Sequence, residues 1–332
     1  MDKKILTYNK PKYNTYNYLA ASSIVGENNP YFDIWRHNNY IDIQCSRNDF
    51  SKGLNLTLCK GSILDLPFLY LLGMGTMYPL NRLFECIRNL IDDDFYVFFE
   101  NVDDYYIKGK TYYQEAHYPH DGLIIGYDDI EQTYQIAAYN NKFMFDMFTI
   151  SQKEFAEGFS YGFFRAYDTG RMPELYGVRV DPEKSTYKAT IDKEHIDSRI
   201  KSYLAPGLDA EYSETPHVAF GIDIYDSIID FLRQQNDGME ANSSFIKDPR
   251  IFKMLYEHKL SMKERMEYLF RNYDIPLSIN PYEEIVDRTN RLHFLYAKYF
   301  KDKKAKTIEW IINELLVIKE NEITLLNQYL NS

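Results

Sequence analysis

His120 is the residue best placed to do chemistry in this chain of 332 residues. It follows Pro119 at the end of a long tyrosine-rich loop and opens the apolar run 122–127 (GLIIGY). A histidine at the mouth of a strand can face a cleft while the strand holds its backbone. Its ordinary pKa of about 6.5 suits it to take and return a proton at neutral pH. The next apolar run, 133–140, ends at Tyr139-Asn140. A side chain there could lie beside the histidine and fix its tautomer, which makes Asn140 the candidate orienting residue. Its plainer role is a turn asparagine. A nucleophile would have to come from Cys45, Cys59 or Cys86. Cys45 closes the alternating run 40–45 and is the best available of the three. As a small buried hydrophobe it would have no chemistry at all. Cys59 and Cys86 sit in apolar runs and read as core.

Other chemistries find less support. His117-x-x-His120 is the only close histidine pair, and it lies in an expected loop with no obvious third metal ligand. His117 is the weaker of the two as an acid–base group. No G-x-x-x-x-G-K-[ST] and no strand-linked G-x-G-x-x-G occurs, so nucleotide-binding loops are absent. No G-x-S-x-G elbow is present, which argues against an α/β-hydrolase.

A protein that neutralises phosphates needs a basic face, and with a formal net charge of −11 nucleic acid is an unfavoured partner. No stretch approaches the roughly 20 apolar residues of a membrane helix. The N-terminal MDKKILTYNKPKYN lacks an apolar signal-peptide core, and three unpaired cysteines fit a reducing compartment. A cytoplasmic protein is therefore expected. The 31 tyrosines and 21 phenylalanines supply large amphipathic surfaces for a core or a ligand groove.

These residues need elements to position them. Residues 12–26 read as a helix ending at Gly26, and the asparagine-rich segment 27–39 as a loop. The alternating runs 40–45 and 54–58 predict strands. Pro79 opens an expected helix, 79–92. Strands follow at 95–102, 122–129, 133–140 and 143–150, joined by Asp- and Asn-containing turns into an antiparallel sheet. Ser151 and Glu154 form a capping box at the head of a helix, 151–159. Strands at 174–181 and 185–191 precede a helix at 192–205. From about residue 222 the spacing is helical, over 222–235, 248–258, 261–272, 281–301 and 305–330. The change of texture near 215 divides the chain into an α+β domain, 1–215, and an α-helical subdomain, 216–332.

The histidine-strand and polar-strand pair resembles the papain-like cysteine peptidase superfamily. The closer resemblance is to the butirosin-biosynthesis-H-like family, in the words FYVFFENVDDYYI (95–107), HDGLIIGYDD (120–129), FGIDIYDSIIDFL (220–232) and LYEHKLSMKERMEYL (255–269). It runs from about residue 12 to 330. The resemblance implies a papain-like antiparallel sheet with helices, followed by a helical half. It implies amide-forming acyl transfer in peptide-antibiotic or other natural-product biosynthesis. The partners would be an acyl or peptidyl carrier protein, which itself brings the phosphopantetheine, and a small amine; no cofactor or metal of the chain's own is implied. His120 would be general base and acid, Asn140 its orienting residue and Cys45 the nucleophile. The loop tyrosines Tyr105, Tyr106, Tyr112, Tyr113 and Tyr118 could line a tunnel for an acyl or aryl chain.

One departure stands out. In papain-like enzymes the nucleophilic cysteine starts the first long helix, where the helix dipole lowers its pKa. The equivalent stretch here is Asn14-Thr15-Tyr16-Asn17, without a cysteine. Three readings stay open. In the first the nucleophile has moved to Cys45; in the second amine and thioester react directly; in the third the chain is a non-catalytic scaffold that binds a peptide or carrier protein. A carrier protein is usually acidic, so docking would need a local basic patch, for which 298–306 (KYFKDKKAK) is a candidate. An exposed apolar face on the long helices would favour a homodimer.

Overall fold

The computed structural model describes residues 2–47, 50, 54–60, 63–73, 82–142, 144–181, 183, 190–208, 217–236, 250–302 and 304–332, the side chains of 64, 166–169 and 300–302 aside. In chain order the elements are β1 (Lys3–Ile5), α1 (Asn17–Gly26), α2 (Phe32–Asn39), β2 (Ile43–Ser46), β3 (Leu56–Leu58), β4 (Leu69–Gly73) and α3 (Leu83–Asp92). Next come β5 (Tyr96–Asp103), β6 (Pro119–Asp128), β7 (Thr133–Tyr139), β8 (Phe145–Ser151), α4 (Gln152–Thr169) and β9 (Glu174–Val180). The rest is α5 (Lys193–Leu204), β10 (Val218–Phe220), α6 (Ile224–Asn236), α7 (Arg250–Asn272), α8 (Asn280–Asp302) and α9 (Ala305–Leu330).

The chain forms two compact units, and both are discontinuous. One comprises residues 1–32 and 62–188, the other 33–61 and 189–332. The sequence boundary at 215 differs from this division, because residues 33–61 belong with the C-terminal helices. Alternation along β2 and β3 identified them as strands but carried no information about which sheet they join.

The first unit is an antiparallel sheet in the order β4-β9-β5-β6-β7-β8, with β1 also paired to β6. Val97, Phe99, Val102 and Ile136 pack with Leu83, Ile87 and Ile91 of α3 and with Phe155 and Phe159 of α4. The alternate residues Tyr96 and Phe98 are buried too, so β5 is covered on both faces. The α1 helix packs against β6, β7 and β9. Nearly every residue of it is buried, which explains why NYLAASSIVG carries no polar face. It starts at Asn17 rather than near residue 12.

Two features of this unit position the site. The β5–β6 register runs Phe99↔Gly122 and then Val102↔His120, so β5 carries one extra residue at a bulge. Asn101 sits there at φ 58, a left-handed conformation that asparagine tolerates. The bulge re-aims the residues that follow, Asp103 and Asp104. The second feature is the approach of α4. A Cβ at Gly158 would lie 2.8 Å from the Asp103 carbonyl oxygen, and one at Gly162 2.8 Å from that of Asn101. Glycine at these two positions, one helical turn apart, lets the helix backbone touch the end of β5. The capping box at the head of α4 is present: the Glu154 amide donates to Ser151 Oγ at 3.0 Å, and the Ser151 amide to Glu154 Oε2 at 2.9 Å.

The second unit holds the short sheet β10-β2-β3 and the helices α5 to α9. Glu322 of α9 lies at its centre, fully buried. It accepts from the hydroxyls of Tyr203 (α5), Tyr225 (α6) and Tyr282 (α8) at 3.0, 2.9 and 2.7 Å, and from Lys259 (α7) at 2.8 Å. Five helices thus converge on one carboxylate. The expected break at 259–260 is absent, and α7 is continuous. Its polar residues Glu257, His258, Lys259 and Ser261 interrupt the apolar spacing yet are all buried. The segment expected as a loop at 27–39 contains α2. The carbonyls of His37 in its last turn and of Tyr40 just beyond its end accept from the buried Arg265 guanidinium at 2.5 and 2.8 Å. That stabilisation comes from more than 200 residues away in sequence, so no local pattern shows it.

The strand expected at 185–191 and the helix start at Pro79 lie mainly outside the described residues, as do the side chains of 300–303 in the basic stretch 298–306. Among the described residues no helix is long and apolar enough to cross a membrane.

Candidate functional site

His120 stands at the second residue of β6, with its side chain 18% exposed. Three elements meet on it. The β5 bulge delivers Asp104, whose Oδ2 lies 3.0 Å from His120 Nδ1. The loop after β5 brings Lys110, a fully buried ammonium 3.2 Å from the other Asp104 oxygen. The start of α1 brings Asn17, whose Nδ2 is 3.2 Å from His120 Nε2.

The Asn17 carboxamide is fixed at both ends. Its Nδ2 donates to the Asp121 carbonyl at 2.7 Å, and its Oδ1 accepts the Tyr139 amide at 3.2 Å. Flipping it would set oxygen against oxygen and N–H against N–H. Nδ2 is therefore a donor toward His120, and Nε2 must be the acceptor. The ring proton then lies on Nδ1 and is donated to Asp104. With Nδ1 protonated, the Lys110 ammonium 3.5 Å away makes no hydrogen bond to the ring and acts on Asp104 instead. Burial opposes the charge of Asp104, but Lys110 and then His120 outweigh it and hold the carboxyl below its ordinary 3.8. The Tyr118 ring stands edge-on to the imidazole at 5.3 Å, and Tyr112 packs against Tyr118 at 4.6 Å.

Asp103, one residue before Asp104, holds the other histidine. Its Oδ1 accepts the amides of Tyr105 and Tyr118, both at 3.0 Å, and its Oδ2 lies 2.8 Å from His117 Nδ1. The His117 ring is stacked between Tyr105 at 4.4 Å and Tyr161 at 4.3 Å. Consecutive aspartates thus serve two different histidines. Tyr106 borders this second cluster, 5.4 Å from Tyr161.

Asn140 does not touch the imidazole. Its carboxamide oxygen accepts the amides of Lys142 and Met144 at 2.9 and 3.2 Å, which is the turn role. Asp104 orients the ring in its place. Cys45 belongs to the other unit, in β2 between β10 and β3. It is 3% exposed, and burial pushes its thiol up to about 12 despite the lowering effects of Ser227 and Arg47. At neutral pH it is a thiol, not a thiolate. The five loop tyrosines divide: Tyr112 and Tyr118 lie by His120, Tyr105 and Tyr106 by His117. Tyr113 makes a backbone turn contact to Lys110 at 3.4 Å. Tyr106 lines a sizeable cavity.

Sequence reasoning passed over Asn17, Asp103, Asp104 and Lys110. The acidic pair was visible in FYVFFENVDDYYI, but nothing local shows that a bulge turns both carboxylates toward histidines more than a dozen residues on. Among the described residues no group of three or more histidine, cysteine and acidic side chains could hold a metal ion. Compared with known protein families and with curated proteins, the chain matches none.

The arrangement holds an imidazole rigidly, with its proton on Nδ1. The basic nitrogen Nε2 is engaged by an amide that cannot act as a nucleophile. A group able to displace the Asn17 contact would meet a positioned base.

Proposed function

We propose that this chain is a papain-like binding protein that holds a peptide or a carrier-protein-borne chain without capturing it covalently. One observation carries the reading. The buried helix α1 begins at Asn17, and Asn17 faces His120 Nε2 at 3.2 Å. That is the place where the papain-like resemblance puts a cysteine. A carboxamide has no proton to yield at neutral pH and no nucleophilic lone pair to offer. His120 would then remain as the recognition group, its Nε2 accepting a hydrogen bond from the bound chain while Asp104 holds the ring. The buried thiol of Cys45 gives the covalent alternative no support.

A second reading is favoured by the Asp104–His120 pair itself. A carboxylate on Nδ1 is the arrangement a general base needs. In this reading an amine acceptor displaces Asn17 from Nε2 and attacks a carrier-bound thioester directly. His120 Nε2 takes the proton from the attacking nitrogen and returns it to the departing thiolate, so that amide and free thiol form.

Intact-protein mass after mixing with an acyl-pantetheine thioester separates the readings. The native chain is expected to show no adduct and to form no amide when an amine is added. Asn17→Cys is expected to gain a single acyl adduct, because the new thiol would adjoin a positioned imidazole. Amide formed by the native chain and lost in His120→Ala would overturn the binding reading and establish direct aminolysis. An adduct on the native chain would overturn both.

A further inference from the structure

The first unit also carries a groove of about 700 Å³ that the His120 cluster does not use. One wall is a stripe of α4 in which Lys153, Glu157, Tyr161 and Phe164 recur at helical spacing. Phe84 of α3, Tyr106 and Glu131 complete it. Phe164 is 74% exposed and Phe84 38%. Large rings left in water around a concavity mark a contact surface rather than a core.

Two carboxylates and one lysine line the groove beside the first turn of α4, a net excess of one acidic side chain. The carboxylates are Glu131 and Glu157. The lysine, Lys153, is 86% exposed at the side chain and stands 3.8 Å from Glu157, a loose pair of little strength. Burial raises the Tyr106 hydroxyl, and the charged neighbours that raise it further are the carboxylates of Asp103 and Glu157. Ring faces add negative potential of their own. Among the described residues no lysine or arginine lies over the rings of Phe84, Tyr106, Tyr161 or Phe164. The aromatic wall is also preset: Tyr161 is stacked on His117, which the buried Asp103 holds. A preset wall saves a ligand the cost of ordering it.

The excess of carboxylate and the ring faces favour a cation over an anion here. We propose that this groove binds an organic cation, an ammonium or quaternary ammonium group on an aryl or alkyl body. The body lies along Phe84 and Phe164, and the charge rests against the tyrosine rings and Glu157. This site is separate from the Asp104–His120–Asn17 cluster and stands whether that cluster binds or catalyses.

The test is calorimetric and NMR titration of the full chain with phenethylamine, protonated at pH 7, against 2-phenylethanol, which has the same aryl body without the charge. The amine is expected to bind about tenfold more tightly than the alcohol. Phe164→Ala, at an exposed position that does not support the fold, is expected to weaken the amine several-fold and to shift no resonance of His120. Glu157→Gln should weaken it about threefold, and Lys153→Gln should strengthen it by a similar factor. Equal binding of amine and alcohol would overturn the proposal. So would the absence of saturable amine binding at millimolar concentration, or amine binding unchanged by Phe164→Ala and Glu157→Gln together.

Discussion

Each unit buries a carboxylate against a lysine, and the two pairs are finished differently. In the helical unit Glu322 takes three tyrosine hydroxyls and the Lys259 ammonium, and both ionic side chains are completely buried. Burial lowers Lys259 even though Glu322 raises it, and the three tyrosines are held well above their ordinary 10. All of these side chains are buried. In the α+β unit Asp104 is just as buried and Lys110 just as enclosed, but the third member is a histidine with an edge open to solvent. A sealed carboxylate pins helices together. A carboxylate that accepts from a partly exposed imidazole holds that ring in one orientation at the surface.

The largest effect expected from that contrast is on the sealed side. Glu322→Ala strands a buried ammonium and three hydroxyls, and should cost about 3–5 kcal/mol. Lys259→Met with Glu322→Met should cost less than Glu322→Ala alone, because it removes both charges together. The denaturation midpoint followed by helical circular dichroism checks both. A loss under about 1 kcal/mol for Glu322→Ala would show water reaching this network and break the comparison.

Cys45 should behave as part of the sealed unit. With its thiol pushed up to about 12, alkylation by iodoacetamide at pH 8 should be at least about a hundredfold slower in the native chain than after unfolding. Peptide mass mapping reads this directly. Rapid native labelling would return Cys45 to consideration as a nucleophile.

The open pair should give the smaller stability effect and the clearer pH signature. Asp104 has its carboxyl lowered on folding, so its ionised form stabilises the native state. That contribution is complete above its ordinary 3.8 and fades as pH falls through the lower folded value. Asp104→Asn should therefore lose about 1–3 kcal/mol at pH 7 and flatten the acid limb of the stability curve below about pH 4. It should also disturb the His120 ring nitrogens in ¹⁵N spectra, since the Nδ1 proton loses its charged acceptor. An unchanged ring tautomer in this variant would mean that Asn17 alone sets it.

Much of the scaffold was legible because its signals are local. Strand alternation at 95–102 and 133–140, the Ser151–Glu154 box and the long helical stripes all depend on residues a few positions apart. His120 at the mouth of β6 was readable for the same reason. The misreadings share a cause. The α2 helix looked like a polar loop because the carbonyls in its last turn and just beyond its end are satisfied by Arg265. The α7 helix looked broken because Lys259 and its polar neighbours face a buried carboxylate rather than solvent. The Asn140 assignment assumed that the end of β7 would reach the imidazole, whereas its carboxamide is spent on its own turn.

Most element types, the antiparallel sheet, the helical C-terminal half and the absence of a cysteine at the head of the first helix were legible in the sequence. These follow from periodicity, turn chemistry and residue identity, which act over a few residues. The tertiary structure alone decided which carboxylate serves which histidine, that Asn17 rather than Asn140 meets His120, and that Cys45 lies in a different unit. Those facts depend on a one-residue bulge in β5, on a helix start fixed by β6 and β7, and on a chain that leaves one unit and returns to it. Each is a long-range packing outcome, and local sequence patterns do not encode it.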